Sequence, residues 1–234
     1  MSAIYKRELS GFFNAAVGYV VLAVFFFFSG LFFYNYCFMG DSASLSFVFA
    51  NMFYIIMFII PVITMKSFAE ERRQKTDQAL LTSPVSLTEI VLGKFLGALT
   101  LYGMCCLIFL VYAVVISFFA HPQWSVVLCT FLGIFLLGAA MIAINIFISS
   151  LTESMVVAAV VGMAAGLVID IMSYFISTIQ VEWIANILQK INFLNYYTNF
   201  TYGILSVVDV VFFLSVTGLF LFFTVRVLER RRWN

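Results

Sequence analysis

The chain alternates long apolar runs with short polar ones. Crossing the hydrocarbon core of a bilayer as a helix takes roughly 20 apolar residues. Six runs meet that measure, at 17–39, 47–65, 95–119, 125–149, 155–179 and 207–227. Lipid offers no partner for backbone N–H and C=O groups, so each run must be helical. The pattern predicts an all-α polytopic membrane protein with six transmembrane helices. Ahead of the first run, Ile4–Asn14 sets Ile4, Leu9, Phe12 and Phe13 among Lys6, Arg7, Glu8 and Ser10. That mixture predicts an amphipathic helix lying in the membrane interface, within an interfacial segment spanning residues 1–16. Between the last two runs, residues 180–206 are too polar to span but rich in Trp183, Phe193, Tyr196, Tyr197, Phe200 and Tyr202. They predict one or two short external helices re-entering the outer leaflet, with aromatics at headgroup level; the plainer alternative is an ordinary loop.

The longest polar stretch, Ser67–Lys94, lies between the second and third runs. Within it Thr76–Ser83 reads as a short helix: Thr76 caps the first turn, Asp77 complements its positive end, and Pro84 forbids continuation. Ser86-Leu87-Thr88-Glu89 then forms a capping box that opens the next helix. A capped helix outside the bilayer, carrying the apolar pair Leu80-Leu81, has a docking surface to offer. The plainer reading is that Glu70, Glu71, Arg72 and Arg73 form a solvated juxtamembrane face against anionic lipid.

Composition narrows the class. With 234 residues, 64% hydrophobic and 10% charged, and a mean hydropathy of +1.11, the chain reads as one transmembrane domain over 1–234, without a separate soluble domain. The net charge of +1 gives no reason to expect nucleic acid. Lys6, Arg7, Lys66, Arg72, Arg73, Lys75, Lys94, Arg226 and Arg230–Arg232 fall on one side of the spans, and only Lys190 on the other. Positive residues stay inside. Both termini and the loop 66–94 are therefore expected in the cytoplasm, as in a multi-pass protein of a bacterial inner membrane. The polar lead Lys6-Arg7-Glu8 precedes an apolar run too long for a cleavable signal. Cys37, Cys105, Cys106 and Cys129 lie in or beside apolar runs without metal-ligand spacing.

Chemistry-bearing residues are few. A phosphate-cradling loop needs G-x-x-x-x-G-K-[ST]. Here Gly93-Lys94 is followed by Phe95, and position 88 is Thr88. The chain is therefore not expected to hydrolyse ATP, and no metal or cofactor is expected in it. Asp170 is the acid deepest within an apolar run; such carboxylates face a cavity or a partner. It is a candidate for a transport pathway, or it reaches the outer interface. Asp209 reads as interfacial, and His121 has no second ligand nearby. Ala158, Gly162 and Gly166 give the fifth span a smooth face for close helix packing or a dimer contact, and Gly93 and Gly97 repeat the spacing in the third.

Four segments carry a family resemblance: IYKRELSGFFNAAVGYVVLAVFFFFSGLFF, KSFAEERRQKTDQALLTSPVSLTEIVLGKFLGAL, SSLTESMVVAAVVG and GILSVVDVVFFLSVTGLFLFFTVRVLERRRW. In this order they resemble the membrane permease subunits of type 2 ATP-binding-cassette (ABC) exporters, in the gliding-motility-type branch. The resemblance departs at Lys75, where the family usually has Gly before the Thr of its coupling loop, and at Tyr202, where it usually has Arg. The first departure bears on how the coupling helix is hinged.

The resemblance implies a permease that works as a dimer, with a second copy or a homologous permease. It implies separate ABC ATPase subunits that bring ATP and Mg, and leaves room for a periplasmic accessory protein. It places ATPase coupling on Glu70, Glu71, Arg72, Thr76, Leu80, Leu81 and Pro84, with a lesser contact at Leu151, Thr152 and Glu153. The alternative is a non-transporting membrane scaffold or an intramembrane enzyme, which explains six spans but not a capped coupling-type helix.

Overall fold

The computed structural model describes residues 2–39, 45–76, 85–119, 123–178, 183 and 188–232. The described residues are almost entirely helical. Helix α1 is Ser2–Asn14; α2 is Val17–Phe33, prolonged by a π-turn over Tyr34–Phe38; α3 is Ser46–Thr64 and α4 is Ala69–Arg73. Helices α5 (Leu87–Ser117), α6 (Trp124–Leu151) and α7 (Met155–Thr178) follow. A short α8 (Phe193–Thr201) leads to the closing α9 (Val207–Arg232). Six helices are long and apolar enough to cross a membrane: α2, α3, α5, α6, α7 and α9. They coincide with the six runs of the sequence. The largest shift is at α5, which starts at Leu87 because Ser86 accepts a hydrogen bond from the Glu89 amide at 3.3 Å.

Helix α6 is the axis of the bundle. In its most apolar window 72% of residues are buried, against 17% in α9. Its sequence explains the difference, since Gly133, Gly138, Ala139, Ala140 and Ala143 leave grooves for the bulky side chains of its neighbours. The Tyr102 ring lies directly over Gly138, and its hydroxyl donates to the Ile134 carbonyl at 2.8 Å. Phe200 fills the groove at Gly133 in the same way.

The small face of α7 also serves packing within the chain. Ala158 is buried, Gly162 lies against Asn145 of α6 and Pro61 of α3, and Gly166 lies against Met57 and Met141. Gly93 and Gly97 of α5 seat a different element: Ile4 and Glu8 of α1 rest over them. Tyr5 adds a hydroxyl–hydroxyl hydrogen bond to Thr100 at 3.1 Å. The expected interfacial helix is therefore a packed part of the bundle along that face.

The external segment closes one end of the bundle. Tyr197 and Phe200 of α8 are completely buried, rather than standing at headgroup level as the sequence suggested, while Tyr202 and Trp183 remain exposed. The Tyr197 hydroxyl donates to the Phe49 carbonyl at 2.7 Å, and Thr130 donates to the Phe200 carbonyl at 2.9 Å. Asp209, expected at the interface, is 3% exposed; its carboxylate accepts from the Asn199 amide at 3.0 Å. After α8 the chain turns through Gly203 at φ 78°, with the Ile204 amide bonded to the Asn199 carbonyl and the Gly203 amide to that of Phe200. This is a Schellman ending, which favours glycine at that position.

The Tyr102–Gly138 contact sets a sharp test. Gly138→Ala should destabilise the protein by about 1–3 kcal/mol, because the new methyl group displaces a buried ring. Gly218→Ala in α9, where nothing lies within 4 Å, should instead be neutral or stabilising by about 0.5–1 kcal/mol. Thermal unfolding of the two variants in detergent checks the pair.

Candidate functional site

The polar stretch that interrupts the spans is rooted in a charged junction. Lys94 sits in the second turn of α5 between apolar neighbours and is 1% exposed. A cation in that setting needs counter-ions, and two arrive from other helices. Glu8 of α1 and Glu71 of α4 each place Oε1 2.9 Å from the Lys94 Nζ. Arg7 pairs with the same two oxygens, at 3.0 Å to Glu8 and 2.7 Å to Glu71. The Phe68 ring lies 5.0 Å from Nζ and adds a cation–π contact. Two cations and two carboxylates thus balance where α1, α4 and α5 converge. Burial opposes the charge on Arg7, but its hydrogen bond to Glu8 and the field of Glu71 outweigh that and hold its pKa above the ordinary value.

A second set of bonds ties α4 to the end of α6. The Ser149 hydroxyl accepts from the amides of Phe68 and Ala69, both at 3.2 Å, and donates to the Met65 carbonyl at 3.3 Å. Helix α4 has no side-chain cap of its own, so Ser149 satisfies its first amides from another helix. Arg72 then reaches across the α6–α7 turn, donating to the Leu151 carbonyl at 3.1 Å and pairing with Glu153 at 2.8 Å. Between α1 and α4 lies a cleft of ≈ 440 Å³.

Residues 2–227 match the family model described as ABC-2 family transporter protein. The chain belongs to the ABC-2 transporter family. The match spans all six membrane helices, so the chain is a multi-pass membrane permease component of an ABC transporter. No curated protein matches the chain.

In this ABC-2 permease the structure unites some of the residues singled out from the sequence. Glu71 joins the junction with Lys94, and Arg72 links to Leu151 and Glu153. Glu70 lines the cleft and accepts from Gln74 at 3.4 Å. Thr152 accepts from the Ser154 amide at 3.2 Å. Thr76 closes α4, its amide bonded to the Glu71 carbonyl at 2.9 Å while the Lys75 amide meets that of Arg72. Asp77, Leu80, Leu81, Pro84 and His121 lie outside the described residues, and with them all of the expected helix Thr76–Ser83 except Thr76. Asp170 is half-buried in α7, and its Oδ1 is buried with no hydrogen-bond partner among the described residues.

Three features escaped the sequence reading. Helix α4 is too short to show a period. Glu8 and Arg7 looked like the wet face of an interfacial helix. Lys94 closes the polar stretch 67–94 and reads as a loop charge, although its setting in VLGKFL marks it as a cation needing buried partners.

Lys75 adopts φ 56°, the left-handed region, at the position where the resemblance expects Gly. Its bonds repeat the Schellman pattern seen at Gly203, so the turn survives the substitution at a cost in strain. Lys75→Gly should stabilise this turn by about 1 kcal/mol. Hydrogen exchange at the Thr76 amide, slowed by up to about fivefold, would register the gain.

The junction makes a second prediction. Lys94→Ala leaves two carboxylates around a vacated buried position and should cost about 3–5 kcal/mol. Arg7→Ala, at a side chain 53% exposed, should cost no more than about 1 kcal/mol. Thermal unfolding in detergent ranks the two.

Proposed function

We propose that this chain is the permease subunit of an ATP-driven exporter of the gliding-motility-type branch, working as a dimer with separate ATPase subunits on the cytoplasmic side. The basic residues favour a cytoplasmic location for both termini and for the loop 66–94. The observation that carries the reading is the anchoring of that loop at its root. Glu71 is held by Lys94 and Arg7, and Arg72 is held by Glu153. A push on the loop therefore has a rigid path to α1, α5 and the α6–α7 turn. The absence of a phosphate-cradling motif from the sequence makes a partner ATPase a requirement of this reading.

In this reading Leu80 and Leu81 are the apolar anchors inserted into the ATPase, followed by the stop at Pro84. Glu70, Thr76 and Thr152 lie at the rim. Interface energy concentrates in a few desolvated apolar contacts, while rim charges mainly steer. Asp170, whose Oδ1 has no hydrogen-bond partner among the described residues and lies inside a span, is the group we assign to the translocation route.

The test is recovery of the ATPase subunit with tagged permease from detergent extract, at matched permease levels. Leu81→Asp should abolish recovery, since it buries a charge in an apolar contact, and Arg73→Ala should leave it nearly unchanged. Wild-type recovery with Leu81→Asp would make the segment a lipid-facing loop.

A further inference from the structure

The cleft between α1 and α4 carries chemistry that the junction does not use. Lys66 and Glu70 both line it. They are four residues apart and opposite in charge, yet among the described residues neither makes an ion pair. The polar contact made by the Glu70 carboxylate is the long hydrogen bond from Gln74. A cation and a carboxylate with no ion-pair partner among the described residues thus share one cavity.

Apolar residues line the cleft as well: Phe12, Ala15 and Val17. Val17 also begins a stripe on α2. Val20, Val24, Phe27 and Leu31 follow it at intervals of three and four residues, and all four are exposed. At 1.5 Å per residue the stripe runs about 21 Å from the cleft. One leaflet of a hydrocarbon core roughly 30 Å thick fits within that length.

We propose that this cleft binds the headgroup of a phospholipid carrying a phosphate and a primary ammonium, drawn from the leaflet on the α4 side. The phosphate meets Lys66, with Arg7 beside it; the ammonium meets Glu70; one acyl chain lies along the α2 stripe. A headgroup of this class neutralises both charges together. An anionic headgroup would leave Glu70 facing a phosphate. A trimethylammonium headgroup has no N–H to donate to the carboxylate, and so forfeits the charge-assisted hydrogen bonds. The proposal rests on the cleft alone and stands whether or not the chain couples to an ATPase.

The experiment is thermal unfolding of the full-length protein in detergent, with added phosphatidylethanolamine, phosphatidylcholine, phosphatidylglycerol or the chain-free headgroup glycerophosphoethanolamine. Phosphatidylethanolamine should raise Tm by about 2–4 °C, the other two lipids by less than half as much, and the soluble headgroup not at all. The double variant Lys66→Ala/Glu70→Gln breaks no ion pair, so its lipid-free Tm should match wild type while the advantage of phosphatidylethanolamine disappears. Native mass spectrometry should find one phosphatidylethanolamine retained per chain. Equal stabilisation by phosphatidylcholine or phosphatidylglycerol would overturn the proposal. So would an undiminished preference in the double variant, or a dimer without retained lipid. Equal stabilisation by the soluble headgroup would overturn the lipid assignment in favour of a free phosphoester.

Discussion

A lysine ammonium inside a helix bundle cannot stay there alone, and most of the organisation around α4 follows from that constraint. Lys94 is 1% exposed and stands among apolar residues of α5. Removing such a charge from water costs several kcal/mol, repaid only by close counter-ions. Glu8 and Glu71 come from opposite ends of a long stretch of sequence, so each ion pair closes a large loop. Arg7 then relieves the two carboxylates of their mutual repulsion. Helix α1 is thereby fixed on α5, and α4 is fixed beneath both.

The same region has a second layer of restraint. Ser149 closes the first turn of α4 from the end of α6, and Arg72 spans to Glu153 beyond it. The two polar segments on this side of the bundle are therefore one mechanical unit. Charge pairs fix its position, and side-chain-to-backbone hydrogen bonds fix its orientation. The far end of the bundle is built on different physics. There α8 is held by buried rings and by single hydroxyl-to-carbonyl bonds, such as that of Tyr197 to Phe49.

Within the spans, close approach rather than polarity governs packing. Lipid removes the hydrophobic incentive for apolar helices to associate, so contact area and fit decide. The glycines of α6 and α7 mark where neighbours come nearest, with Tyr102 over Gly138 and Asn145 over Gly162. Asn145 also donates its Nδ2 to its own Met141 carbonyl at 2.8 Å, while its Oδ1 is buried with no hydrogen-bond partner among the described residues.

The length of the apolar runs alone determined the membrane class and the six spans, because a bilayer enforces one spanning length and one backbone conformation. Local chemistry was equally legible at Ser86, whose cap fixes the start of α5. The role of Lys94 was not. A helical residue's sequence neighbours say that it is buried, but its counter-ions sit 86 and 23 positions away, and no local pattern links them. The small face Ala158–Gly162–Gly166 likewise announced close packing without naming the partner, since a smooth surface fits any helix. Only the tertiary structure assigned it to α3 and α6 of the same chain. Lys75 shows the converse: its side chain argues against a left-handed turn, and the closing bonds at Arg72 and Glu71 impose it nonetheless.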